Sequence, residues 1–160
     1  MWIVKSKGAF MSEKSAVVRQ VKGLTFVGMA ESGHWVNVDG PPEFGGSNAA
    51  IRPKELILIS LGACTGSDVI SILQKKRVKP AGFEVRLKAQ VAEEHPQVYT
   101  KIHIEYVFYG ENLPAPDIER AIDLSQNKYC PVTAMLKSSV DITNSYKILP
   151  SGDFLGAKVN

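Results

Sequence analysis

Between residues 83 and 109 the chain alternates apolar and polar positions in two runs, "FEVRLKAQVAEE" and "YTKIHIEYVFYG", divided by "HPQ". Alternation at a period of two puts one set of side chains in the core and the other in water. The runs therefore predict a hairpin with one wet face. An earlier stretch, "AVVRQVKGLTFVGMAE" followed by "HWVNVD", is rich in β-branched and aromatic residues and is broken at Gly23 and at Ser32-Gly33. It predicts a three-stranded meander. Behind it, "GPPEFGGSNAA" is dense in Gly, Pro, Ser and Asn and predicts a loop of about ten residues without regular structure.

The pattern changes at "RPKELILISLGACTGSDVISILQKKR". Pro53 suits the first turn of a helix, Glu55 the positive N-terminal end, and Lys75, Lys76 and Arg77 the negative C-terminal end. Leu56, Ile57, Leu58, Ile59 and Leu61 are apolar almost all round the axis, which predicts a helix buried on most sides. Gly62, Ala63 and Gly66 thin it around Cys64 and let another element approach. Pro116 and Asp117 open a further helix through "IERAIDLSQNKY", "CPVTAMLKSS" gives a short one, and "VDITNSYKIL" a closing strand. The order βββ–α–ββ–α–α–β is an α+β layout. Residues 1–16 read as an extension, with Met11 an alternative start, residues 17–150 as one domain, and 151–160 as a tail.

Composition narrows the function classes. A chain of 160 residues can bury one real core, and 44% hydrophobic with 22% charged residues is ordinary for a soluble globular protein. The net charge of +3 is spread along the chain, without the basic stripe that nucleic acid requires. "LILISLGAC", the longest apolar run, falls short of the roughly 20 residues of a membrane span, and the N-terminus lacks the apolar stretch of a signal peptide. Neither nucleic acid nor membrane is expected as a partner, and a reducing cytoplasmic setting is. There a pair of cysteines points to chemistry or metal rather than to a structural bridge.

The chain has two cysteines, Cys64 and Cys130. Pro131 at the first helical position puts Cys130 at the N-cap, facing free N–H groups that stabilise a negative sulfur. The competing reading is a small buried thiol at a helix junction. Cys64 lies roughly 16 Å into its helix, beyond the reach of the helix-end field, and by itself reads as a core cysteine. Asp68 and Ser71 follow on the face of Cys64 and read as hydrogen-bonding groups at a packed contact. His34, His95 and His103 have no ligand spacing to one another or to the cysteines, so no metal and no cofactor is expected. A phosphate loop and a nucleophile elbow are both missing.

"RPKELILISLGACTGSDVISIL" and "AIDLSQNKYCPVTAMLKSSVDIT", with "GLTFVG" early in the chain, resemble the OsmC/Ohr family of thiol-dependent hydroperoxide reductases over about residues 17–148. The resemblance is nearest to an OsmC-like subgroup carrying "DLSxxKYC". It implies an intertwined homodimer with the long helix central and the active sites at the interface. It implies that Cys64 attacks an organic hydroperoxide, that Cys130 resolves the sulfenic acid as a disulfide, and that a cellular dithiol regenerates the pair.

Peroxidase members hold the thiolate with an arginine paired to a glutamate directly after the helix-opening proline. This chain has Lys54 there and its acid, Glu55, one residue later. Glu55 and Cys64 are nine residues and about 180° apart on one helix, so Glu55 reaches a thiol only across a dimer interface or through a bend near Gly62. Arg19, Lys22 and Arg52 are the candidate cations. Two other roles compete with the peroxidase: capture of an electrophile or small apolar ligand at Cys64 without turnover, and a dimeric interaction module in which both cysteines are only packed.

Overall fold

A computed structural model describes residues 13–156. Residues 1–12, Met11 included, lie outside the described residues, and with them most of the extension read over residues 1–16. The chain divides into two compact units between Leu56 and Ile57.

The first unit carries β1 (Ala16–Lys22), β2 (Thr25–Ala30) and β3 (Trp35–Val38), an antiparallel meander in sequence order, as the pattern predicts. Gly23 and Gly33 make its turns with φ of +56° and +76°, a region that costs other residues a steric clash. The loop that follows is more ordered than its composition implies. Pro42–Phe44 form a single 3₁₀ turn, and Ile51 bridges Val38 in parallel. The cause is Asp39, only 1% exposed, whose carboxylate accepts the N–H groups of Gly40 (2.8 Å), Ser47 (3.0 Å) and Ala49 (3.0 Å). Gly46 allows the fold-back, since a Cβ there would stand 1.9 Å from the Gly40 carbonyl oxygen.

Helix α1 (Pro53–Lys75) stops two residues short of the predicted end. Arg77 takes a left-handed φ of +61°, Arg77 N–H bonds Gln74 O (3.0 Å) and Val78 N–H bonds Leu73 O (2.9 Å). That pair of bonds satisfies the last carbonyls and turns the chain away.

In the second unit β4 (Gly82–Val91) and β5 (Tyr99–Tyr109) form the predicted antiparallel hairpin. The closing strand β6 (Asp141–Leu149) runs parallel to β5, which is central. Helix α2 (Ala115–Leu124) passes into a π turn over Ser125–Tyr129, and α3 (Pro131–Leu136) follows Cys130. Ile102, Ile104, Tyr106 and Phe108 of β5 meet Leu61, Val69 and Leu73 of α1 and Ile118, Ala121 and Ile122 of α2 in one core. Beyond the sheet, Phe154 packs on Tyr109 with ring centroids 5.1 Å apart and the rings tilted by 51°.

One expectation for α1 needs correction. It is not buried on most sides. Ile57 and Ile59 are exposed, Ile59 by 53%, because the sheet covers one side of the helix only. As a whole element it is also long and apolar enough to cross a membrane, although its longest unbroken apolar run is not. Leu61, Val69 and Leu73 instead pack into the core, and Gly62 and Gly66 bring it onto β4. A Cβ at Gly62 would meet Leu87 Cδ1 at 2.7 Å, and one at Gly66 would meet Val85 Cγ2 at 3.1 Å.

Candidate thiol site

Cys64 comes from the middle of α1 and Cys130 from the junction of the π turn with α3. Their sulfurs and a carboxylate oxygen of Asp68 all lie within 4.8 Å of one another. Both cysteines are reduced; Cys130 is buried and Cys64 is half-buried. The helix register explains Asp68, which stands one turn beyond Cys64 on the same face.

Cys130 occupies the N-cap of α3, as Pro131 predicts, and its sulfur accepts the Thr133 N–H at 3.4 Å. The neighbouring Val132 N–H reaches the Cys64 sulfur. The π turn supplies the rest of the wall. Such a turn carries one residue more per loop than an α-helix and is frequent at functional sites. Here it brings Ser125 and Gln126 side by side toward α1 and β5. Ser125 Oγ donates to Asp68 Oδ2 (3.1 Å) and meets Thr65 Oγ1 (2.8 Å). Gln126 Nε2 donates to Thr65 Oγ1 (3.0 Å) and to the Tyr106 hydroxyl (2.6 Å), and Tyr106 closes on Thr65 at 2.5 Å.

The electrostatics work against a ready thiolate. Burial pushes the Cys64 thiol above its ordinary 9.0; the hydrogen bond with Cys130 and the negative charges of Cys130 and Asp68 push the same way, and the Val132 N–H alone opposes them. Burial likewise raises the Tyr106 hydroxyl above 10.0, with its bonds to Thr65 and Gln126 pulling back. Tyr106 is thus a neutral hydrogen-bonding group at physiological pH.

Glu55 is engaged at the start of α1. Its Oε2 accepts the Arg52 N–H (3.0 Å), and its Oε1 stands 3.8 Å from the Arg52 guanidinium, which also donates to Asn48 Oδ1 (3.2 Å). Of the candidate cations, Arg52 is therefore the one paired with the acid. Arg19 and Lys22 lie on the exposed strand β1.

Of the clefts along α1, two flank the stretch that carries Cys64 and Asp68. The larger, about 850 Å³, is walled by Ile59, Ala63, Ser67, Ile70, Phe83 and Val85 and reaches neither cysteine. The smaller, about 470 Å³, opens on Asp68 between Ser71, Ile72, Leu124 and Tyr129, with Lys75 and Lys76 beside it. The spacing of Cys64 to Asp68 was readable as a shared face, and Asp68 does find its hydrogen bond. Thr65, Tyr106, Ser125 and Gln126 carried no signal, because their meeting depends on the π turn.

Known proteins share the sequence and the fold. A family model described as OsmC-like protein matches residues 45–145. Protein YhfA of Escherichia coli strain K12 is 40% identical over 134 residues, 84% of this chain and 97% of that protein. Among solved structures, a hypothetical protein from Aquifex aeolicus VF5 is 34% identical with a TM-score of 0.75, over 88% of this chain and 98% of that one. An organic hydroperoxide resistance protein OsmC from Legionella pneumophila shares the fold at 15% identity, with a TM-score of 0.64 over 88% and 99% of the two chains.

Proposed function

Because the chain belongs to the OsmC-like protein family, we propose that it is a thiol peroxidase that reduces organic hydroperoxides with Cys64 and Cys130. The observation that carries this reading is the approach of the two sulfurs within 4.8 Å. A disulfide holds its sulfurs about 2.05 Å apart, so closing the pair draws them together by no more than about 2.8 Å.

In the proposed cycle the Cys64 sulfur attacks the outer peroxide oxygen. The O–O bond breaks, the alkoxide takes a proton and leaves as an alcohol, and Cys64 becomes a sulfenic acid. Cys130 then attacks the Cys64 sulfur, the hydroxyl leaves as water, and the disulfide is reduced by a cellular dithiol. Asp68, whose carboxylate lies within 4.8 Å of both sulfurs, serves as the proton acceptor through one bridging water. The Legionella relative is named for organic hydroperoxide resistance, which is the substrate class proposed here.

The proposal includes a homodimer in the cytoplasm. Exposed Ile57 and Ile59 beside the larger cleft of the second unit form an apolar face suited to a second copy. Glu55 acts on the thiol from that second copy, since on its own helix it stands two and a half turns from Cys64 and on the opposite face.

A second reading has its own support in the raised Cys64 thiol, which makes it a slow nucleophile. In it the protein captures an electrophilic or small apolar ligand at Cys64 without turnover. Consumption of cumene hydroperoxide in the presence of excess dithiothreitol or dihydrolipoamide separates the two. Many turnovers per chain, abolished in Cys64→Ser, support the peroxidase. At most one equivalent consumed would leave capture in its place.

A further inference from the structure

Cys64, Asp68 and Cys130 offer two sulfurs and one carboxylate oxygen within 4.8 Å of one another, a donor set that the histidine spacing of the sequence gave no hint of. We propose that in the reduced protein these three side chains bind one thiophilic divalent cation, zinc before others, with a fourth position left open.

The donor chemistry fits. Thiolate sulfur selects zinc over magnesium or calcium, and two sulfurs with one oxygen leave room for a water in a tetrahedral shell. Zinc bonds of about 2.3 Å to sulfur put two sulfurs roughly 3.8 Å apart, so atoms already within 4.8 Å draw in by no more than about 1 Å. A competent site also needs its ligands held from behind. Each one here is. Ser125 Oγ donates to Asp68 Oδ2, the Thr133 N–H donates to Cys130, and the Val132 N–H favours the charged form of Cys64. Thr133 further carries a buried hydroxyl with no hydrogen-bond partner among the described residues. The cleft of about 470 Å³ that opens on Asp68 gives a path of entry.

Metal binding and disulfide formation exclude each other, because both use the same two sulfurs. The cation therefore guards the dithiol while bound, and oxidation of the pair releases it: one hydroperoxide and two protons convert the metal dithiolate to disulfide, alcohol, water and free cation. Binding itself requires no peroxide turnover, so the site stands or falls independently of the proposed activity.

The test is an anaerobic titration of the reduced full-length protein with cobalt(II), followed by zinc competition. The expected result is a thiolate-to-cobalt charge-transfer band that saturates at one equivalent and is displaced by zinc. Cys64→Ser and Cys130→Ser lose the band, and Asp68→Asn weakens cobalt binding at least tenfold. Wild-type protein oxidised with diamide loses the band and regains it on reduction, a readout that needs no folded variant. No band with excess cobalt would overturn the proposal. So would a band that survives diamide oxidation, or one whose affinity Asp68→Asn leaves unchanged.

Discussion

The carboxylate of Asp68 lies within 4.8 Å of the Cys64 sulfur, one helical turn away, and its charge holds a proton on the thiol that it faces. Burial acts first and in the same direction. The thiolate fraction of Cys64 is consequently small at neutral pH and still growing above pH 9.0. Iodoacetamide labelling of Cys64, in a Cys130→Ser background, should keep accelerating with pH past that value. Asp68→Asn removes a negative neighbour and should move the profile to lower pH. A profile that levels off near neutrality would mean a positive group stabilises the thiolate.

Tyr106 ties three segments through one hydroxyl. Tyr106→Phe keeps the ring in the core and removes one hydrogen bond each from Thr65 Oγ1 and Gln126 Nε2, which keep their bond to each other. A lost hydrogen bond costs about 0.5–1.5 kcal/mol, so urea unfolding should show a loss of that size with an unchanged slope. Gln126→Ala, by contrast, removes a donor and should cost less.

The approach of α1 to β4 depends on Gly66. A side chain there starts from a Cβ contact of 3.1 Å with Val85 and 3.4 Å with Phe83. Gly66→Val should destabilise by about 1–3 kcal/mol through overpacking, and should slow disulfide formation by displacing Cys64, two residues before it. Ser67→Ala, at an exposed position of the same helix, should be close to neutral in thermal melts.

Asp39 fixes the loop ahead of α1 through three backbone N–H groups, and those bonds, that of Ala49 foremost, hold its carboxyl below the ordinary 3.8. A depressed carboxyl stabilises the fold above its unfolded value. That contribution is lost as pH falls through the folded value, below 3.8. Asp39→Asn should therefore lower the melting temperature at pH 7 and flatten its fall in that acid range. Amide exchange at Ser47 and Ala49 should speed up in the variant.

What the sequence disclosed follows from locality. The alternation of residues 83–109 set β4 and β5, and Pro131 announced the N-cap that Cys130 fills, because both depend on residues a few positions apart. The exposure of Ile57 and Ile59 was misread, since apolarity around a helix says what it can bury and not what is present to cover it. The loop after β3 looked structureless because a single buried carboxylate, Asp39, organises it from outside the Gly- and Pro-rich run. The network of Thr65, Tyr106, Ser125 and Gln126 joins three distant segments through a π turn that no periodicity encodes. Asp68 sat in plain view one turn from Cys64, and Cys130 was joined to Cys64 by the family resemblance alone, since no spacing along the chain relates residues this far apart.

The central claim is that Cys64 and Cys130 act as one redox pair. Intact mass after mixing the reduced protein with one equivalent of cumene hydroperoxide tests it directly. The wild type should lose two hydrogens, and Cys130→Ser should gain a single oxygen on Cys64. An unchanged wild-type mass, at a peroxide concentration where exposed thiols react, would contradict the account.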